Sequence, residues 1–101
     1  MSAIEIEDAV LKHPDVREVG AIGVPDTLRG QVVKAFVVAD RPGDDGFTKE
    51  IQDLVRSRLS QHEYPRRIEF VAELPKTPAG KVNRKALREA EASAVEPTHA
   101  P

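Results

Sequence analysis

"QVVKAFVVA", residues 31–39, decides the fold. Seven of its nine residues are apolar, four of them Val, and they run almost without interruption rather than alternating. Such a run predicts a strand buried on both faces, hence a strand with cover above and below. It is bounded by the turn-rich "PDTLRG" (25–30) and by the polar loop "DRPGDDG" (40–46). Upstream, Val16 to Val24 is β-branched and lacks a helical period, so it predicts a second strand. Only a short turn separates the two, which favours a hairpin. Downstream, Thr48 is placed to cap a helix in which Ile51, Leu54, Val55 and Leu59 recur at helical spacing. Tyr64-Pro65 breaks that helix, and "RRIEFV" (66–71) reads as a third, short strand. A strand–helix–strand unit from Val32 to Val71 predicts a right-handed parallel crossover.

The flanks complete the outline. Ser2-Ala3-Ile4-Glu5 has the form of a capping box. Ala3, Ile6 and Val10 share one face of the helix that follows, with Leu11 beside them, and His13-Pro14 ends it. After the third strand comes a loop over 74–82, then a helix from about Asn83 to Ala92. The expected fold class is α+β: a small, three-stranded mixed sheet with helices packed on it. One domain is expected over residues 1–92, with a flexible tail over 93–101.

Composition narrows the function. With 101 residues, 40% of them apolar, the chain can build one modest core. It has no cysteine, which excludes disulfides and thiolate metal sites. No apolar run approaches the roughly 18 residues of a membrane span, and the N-terminus lacks a signal-peptide pattern, so a cytoplasmic location is the default expectation. The net charge of −2 conceals a gradient. Residues 1–30 carry six acids and three bases, whereas residues 64–90 carry seven bases and three acids. A basic C-terminal half on an acidic chain favours a localised anion site over wholesale polyanion binding. The plainer alternative is a set of solvated surface charges.

Within that half, "LPKTPAGKVNRKAL" (74–87) stands out. Pro75 and Pro78 restrict the backbone, Gly80 permits a positive φ and close approach, and Lys81 offers a compact charge on a long stem. A phosphate-cradling loop of the GxxxxGK[S/T] type fails at both ends, because position 75 is Pro and position 82 is Val. No nucleophile–base constellation is present. His13, His62 and His99 are expected at the surface, and no metal-ligand spacing is recognisable. A lysine delivered on a stiff loop, without a pocket of its own, suggests half of an active site.

"PKTPAGKVNRKAL" resembles the last signature of the adenylate-forming enzymes, which include acyl- and aryl-CoA synthetases, luciferases and peptide-synthetase adenylation domains. "SAIEIEDAVLKHPDVREVGAIGVPDTLRGQVVKAFVV" resembles the start of their small C-terminal domain. The resemblance runs from Ser2 to about Leu87; "RGQVVKAFVV" and "YPRRIEFVAELPKTPAGK" look most like medium-chain acyl-CoA and benzoate-CoA ligases, enzymes of fatty-acid and aryl-acid metabolism. The resemblance implies a two-step reaction: a carboxylate attacks the α-phosphate of ATP to release pyrophosphate, then the CoA thiol displaces AMP. It implies ATP, CoA and Mg²⁺ in the full-length enzyme, with Mg²⁺ bound by an N-terminal ATP- and acyl-binding domain that this chain lacks. Lys81 then matches the lysine of the adenylation step, worth roughly 10²–10³ in rate by analogy with one oxyanion donor, with Gly80 supporting its loop. Arg29, Arg56, Tyr64, Pro65 and Arg66 match positions that contact CoA in medium-chain enzymes. Ala79 departs from the Ser or Thr that many relatives carry there, so a hydroxyl contact is lost. By the same resemblance Lys81 is a candidate for reversible acetylation, with a lysine acetyltransferase and deacetylase as partners. The isolated chain is expected to be inactive, with no nucleic acid or membrane as partner.

Two other classes compete. A nucleic-acid binder would use the basic stretch from Lys76 to Arg88, but Phe36 and Phe70 are the only strand aromatics and the chain is acidic overall. A stand-alone regulatory or assembly module derived from the ligase domain is the third reading.

Overall fold

The apolar run at 31–39 is the middle strand of the sheet. The computed structural model of the chain describes residues 3–60 and 62–95. Its elements are α1 (Ala3–Val10), β1 (Val16–Asp26), β2 (Gly30–Ala39), α2 (Asp45–Arg58), β3 (Arg67–Phe70) and α3 (Arg84–Val95). The strand order is β1-β2-β3. β1 pairs antiparallel with β2 from Asp26↔Gly30 to Val16↔Ala39, with a bulge between Val16 and Glu18, and β3 pairs parallel with β2 from Lys34↔Arg67 to Val37↔Phe70. The mixed three-stranded sheet and the α+β class follow from these pairings.

Side chains alternate across the strands, so β2 feeds two cores. Ala35 and Val37 join Ile6, Ala9 and Val10 of α1 and Phe47, Ile51 and Val55 of α2 on one face. Val32, Phe36 and Val38 join Ile22 and Val24 of β1, Leu74 and Leu87 of α3 on the other. The sheet is thus a partition between an α1/α2 side and an α3 side. Uncovering either side would expose a row of β-branched residues, each worth about 1.5–3 kcal/mol when buried.

Several expectations need correction. Asp44, not Thr48, caps α2: its carboxylate accepts the Phe47 N–H at 2.7 Å, and the helix starts four residues earlier than expected. Acid at an N-cap is favoured by both the orphan N–H groups and the helix dipole. Leu11 is exposed because α1 ends at Val10, and Ala9 takes the buried place beside Ile6. His13 is buried, not a surface histidine. Its Nε2 lies 2.9 Å from Glu50 Oε1, its Nδ1 accepts the Asp15 N–H at 3.1 Å, and its ring centroid is 5.0 Å from that of Phe47. The end of α1 is pressed against the start of α2 at that point. α3 continues to Val95, past the expected Ala92. The capping-box residue Ser2 and the tail from residue 96, including His99, lie outside the described residues.

Candidate functional site: a lysine loop and an arginine–tyrosine cluster

The 74–82 loop is a small hairpin of its own. Lys76 and Val82 form an antiparallel bridge, the Asn83 N–H donates to Pro75 O at 2.9 Å, and the Thr77 N–H donates to Lys81 O at 2.7 Å. The tip is a turn in which the Gly80 N–H donates to Thr77 O at 2.8 Å, with Pro78 at its second position and Gly80 at its fourth, where these residue types are favoured. Gly80 has φ +83°, the left-handed region where any side chain is strained. That conformation returns the chain toward Lys81, whose N–H reaches Thr77 Oγ1 at 3.3 Å.

The loop is fastened to β1 at both ends. Leu74 is buried and Val82 half-buried in the α3-side core, and Lys76 Nζ lies 2.8 Å from Glu18 Oε1. Gly20 makes the fit possible, since a Cβ there would stand 2.8 Å from both Val82 Cγ1 and Leu87 Cδ1. Asn83 then caps α3, its Oδ1 accepting the Ala86 N–H at 3.0 Å. Lys81 itself is exposed, and among the described residues its ammonium has no hydrogen-bond or ion-pair partner. A fixed backbone therefore carries an uncommitted cation.

The arginine–tyrosine cluster stands on the other side of the sheet. Arg56 on α2 and Arg66 ahead of β3 each place their guanidinium carbon 4.7 Å from the centre of the Tyr64 ring. Arg66 Nη1 donates to Tyr64 Oη at 2.8 Å, and Arg56 pairs with Asp53, whose hydrogen bond is the main cause holding the guanidinium value up and the Asp53 carboxyl down. Arg56 is thus neither isolated nor simply solvated. A shallow depression beside the cluster is lined by Arg56, Ser57, His62 and Arg66. Two guanidinium groups braced on one aromatic ring concentrate positive charge in a form suited to phosphate oxygens.

Pro65 is fully buried, so its side chain offers nothing to a ligand in solution. Its carbonyl accepts Gln52 Nε2 at 3.0 Å, and the Arg66 N–H donates to Val33 O at 3.1 Å, so Pro65 fixes the chain on which Tyr64 and Arg66 stand. Arg29 is not part of the cluster. It sits at the tip of the β1–β2 hairpin, where Asp26 Oδ2 accepts both the Leu28 and Arg29 N–H groups and lies 3.8 Å from Arg29 Nη1. Val33, which anchors Arg66, is four positions further along the chain, about 13 Å of strand.

Two features escaped the sequence reading. Glu7, on the buried side of α1, accepts the Ala21 N–H at 2.8 Å and is gripped by Arg84. Lys34, in the middle of β2, pairs with Glu91 at 2.7 Å and Glu69 at 2.9 Å. The signal was present in both cases: an ionisable residue inside an otherwise apolar pattern has to find a partner when buried.

Comparison with known proteins bears on the family and the fold. The family described as "AMP-binding enzyme C-terminal domain" matches residues 5–81. The mitochondrial acyl-coenzyme A synthetase ACSM1 of Homo sapiens is 47% identical over an alignment of 91 positions that covers 86% of this chain and 16% of the relative. The acyl-CoA synthetase of Brucella canis superposes with a TM-score of 0.88 at 46% identity, covering 93% of this chain and 18% of that one. The anthranilate CoA ligase AuaEII, solved with anthranoyl-AMP, gives a TM-score of 0.83 at 36% identity over 94% of this chain and 19% of its own. The chain therefore spans about one sixth of the length of the curated relatives it matches. The expectation of a cytoplasmic location is overturned, since ACSM1 and ACSM4, its relatives from Homo sapiens, are both mitochondrial synthetases. The reason for the miss is that the default rested only on features the sequence lacked. The match over residues 5–81, with the identity to ACSM1 and the superposition on the Brucella canis synthetase, shows that this chain belongs to the family of AMP-binding enzyme C-terminal domains.

Proposed function

We propose that this chain is the C-terminal lid of an ATP-dependent acyl- or aryl-CoA ligase, serving its two half-reactions with two different faces. In the first, a carboxylate oxygen bonds to the α-phosphorus of ATP and pyrophosphate leaves. In the second, the CoA sulfur bonds to the acyl carbon and AMP leaves with the bonding electron pair. Lys81 serves the first step. Charge gathers around phosphorus as two anions are brought together, and a preorganised cation there lowers the barrier because it has nothing else to neutralise. Gly80 keeps its loop in register. Arg56, Tyr64 and Arg66 serve the second step by holding the phosphorylated nucleotide of CoA, with Arg29 reaching the same ligand from the hairpin tip. Pro65 supports them through the backbone.

The observation that carries this reading is the partition: Lys81 stands on the α3 side of the sheet and the arginine–tyrosine cluster on the α1/α2 side. ATP and the acyl group are assigned to a partner domain of the same ligase. The Mg²⁺ that accompanies ATP is assigned there too, since the described residues include no group of three side chains suited to hold a metal.

The test uses the full-length ligase carrying this domain. Lys81→Ala is expected to slow acyl-adenylate formation by roughly 10²–10³, the worth of one oxyanion donor. Thioester formation from pre-made acyl-adenylate should change less than about twofold, and the unfolding midpoint should stay put because no partner is stranded. Normal adenylation by a folded Lys81→Ala enzyme would refute the assignment.

A further inference from the structure

The Glu7 carboxylate joins three elements that are far apart in sequence. Its side chain is only 11% exposed. Oε2 accepts the Ala21 N–H at 2.8 Å and the Arg84 Nε–H at 3.0 Å, while Oε1 accepts from Arg84 Nη2. Ala21 lies on β1, which among the described residues is an edge strand paired with β2 alone, so its outward N–H would otherwise be buried without an acceptor. Arg84 is the first residue of α3, three positions after Lys81. A two-pronged guanidinium–carboxylate pair fixes orientation as well as distance, which a single contact does not. Together with Lys76–Glu18 at the other end, it holds both stems of the lysine hairpin to β1.

We propose that Glu7 and Arg84 are positioning residues for Lys81, setting where its ammonium stands in the adenylation step. The inference rests on the function proposed for Lys81. Among the described residues no hydrogen bond or ion pair joins Glu7 or Arg84 to Arg56, Tyr64 or Arg66, so the pair belongs to the first half-reaction. Hydrogen bonding within the loop fixes its internal shape; the Glu7–Arg84 pair fixes where that shape sits on the domain. A displacement of about 1 Å in a reacting group can cost about 10²-fold in rate, which sets the scale of the effect.

The experiment takes the full-length ligase with Glu7→Gln, Arg84→Gln and Lys81→Ala, measured side by side. Glu7→Gln keeps an acceptor for the Ala21 N–H but removes the charge from the grip on Arg84. Arg84→Gln perturbs the pair from its more exposed end, so it is the milder change should the Glu7 variant fold poorly. The expected result is a fall in kcat of adenylate formation of about 10- to 100-fold for Arg84→Gln. KM for ATP should stay within about threefold and the thioester half-reaction within about twofold. An undiminished adenylation rate, or a fall shared equally by both half-reactions along with the unfolding midpoint, overturns the proposal. Lys81→Ala decides separately whether the lysine reading itself holds: if it adenylates normally, that reading has failed whatever the pair does.

Discussion

Replacing Lys34 with methionine removes an ammonium from the α3 side of the central strand while keeping the length of the stem. The lysine side chain is 8% exposed and that of Glu91 9%, so the Nζ–Oε1 contact of 2.7 Å between them is a buried pair. Glu69, half exposed, loses little when the ammonium goes, because water can replace it. Glu91 has no such recourse; its remaining partner is Arg67, whose Nη2 is 3.6 Å from Oε2. Stranding one member of a buried pair costs about 3–5 kcal/mol, and the surviving Arg67 contact argues for the lower end. Against a total of about 5–15 kcal/mol for a domain of this size, that loss is large. With a urea slope of about 1.2 kcal/mol/M, a 3 kcal/mol loss lowers the midpoint by about 2.5 M. The assay is urea unfolding of the 101-residue chain followed by circular dichroism, repeated for Glu91→Leu and for the double variant. Removing both charges leaves nothing stranded, so the double variant should recover to within about 1 kcal/mol of the parent, as buried pairs replaced by apolar groups do. A midpoint for Lys34→Met within 0.3 M of the parent, or a double variant no better than the single, would refute the argument that burial makes this pair interdependent.

Two further outcomes follow from the same structure. The Glu50 carboxyl is held below the usual glutamate range by the hydrogen bond from Arg41 first and that from His13 second; a depressed folded value gives stability that is full above the usual range and lost as pH falls through the folded value. Glu50→Gln should therefore flatten the acid limb of a stability–pH curve, and superimposable acid limbs for variant and parent would contradict this. Gly20→Val puts side-chain atoms where Val82 and Leu87 now stand, so about 1–3 kcal/mol of destabilisation is expected in thermal unfolding, with unchanged stability counting against the close fit of the hairpin to β1.

The elements were legible because their signals are local. The run at 31–39 read as doubly buried, and it is covered on both sides; Tyr64-Pro65 read as a helix stop, and α2 ends before it. The turn ahead of Lys81 was legible for the same reason, since Pro and Gly at its favoured positions are written in four consecutive residues. What the sequence hid was pairing over distance. Glu7 and Arg84 are 77 positions apart and Lys34 and Glu91 are 57 apart, and no spacing rule announces such contacts. His13 was misread because a histidine beside a proline at a helix end looks exposed until α2 is laid against it. The cap of α2 was misplaced because "DDGFT" offers Asp44, Asp45 and Thr48 in one stretch, and only the position of Phe47 in the core selects Asp44.

The partition also constrains how the proposed lid has to work. Two groups on opposite sides of a packed sheet point in opposite directions, and a layer of strands with its cover is about 10 Å thick. One pose cannot present both Lys81 and the Arg56–Tyr64–Arg66 cluster to the same side of a partner domain, so serving both proposed half-reactions requires the domain to turn. A turn transmits position only if the turning body is stiff. The ties that sequence reading missed are those that make it so: Glu7 binds α1 and the edge of β1 to α3, and Lys34 binds β2 to α3 through Glu91. Each buries charge at a cost that apolar residues would avoid. Apolar contacts hold the layers together but permit sliding, whereas a directional pair fixes register. The two pairs grip α3 at Arg84, its first residue beside the lysine hairpin, and at Glu91, about two turns further on, as a body that must arrive at each pose with Lys81 already aimed requires.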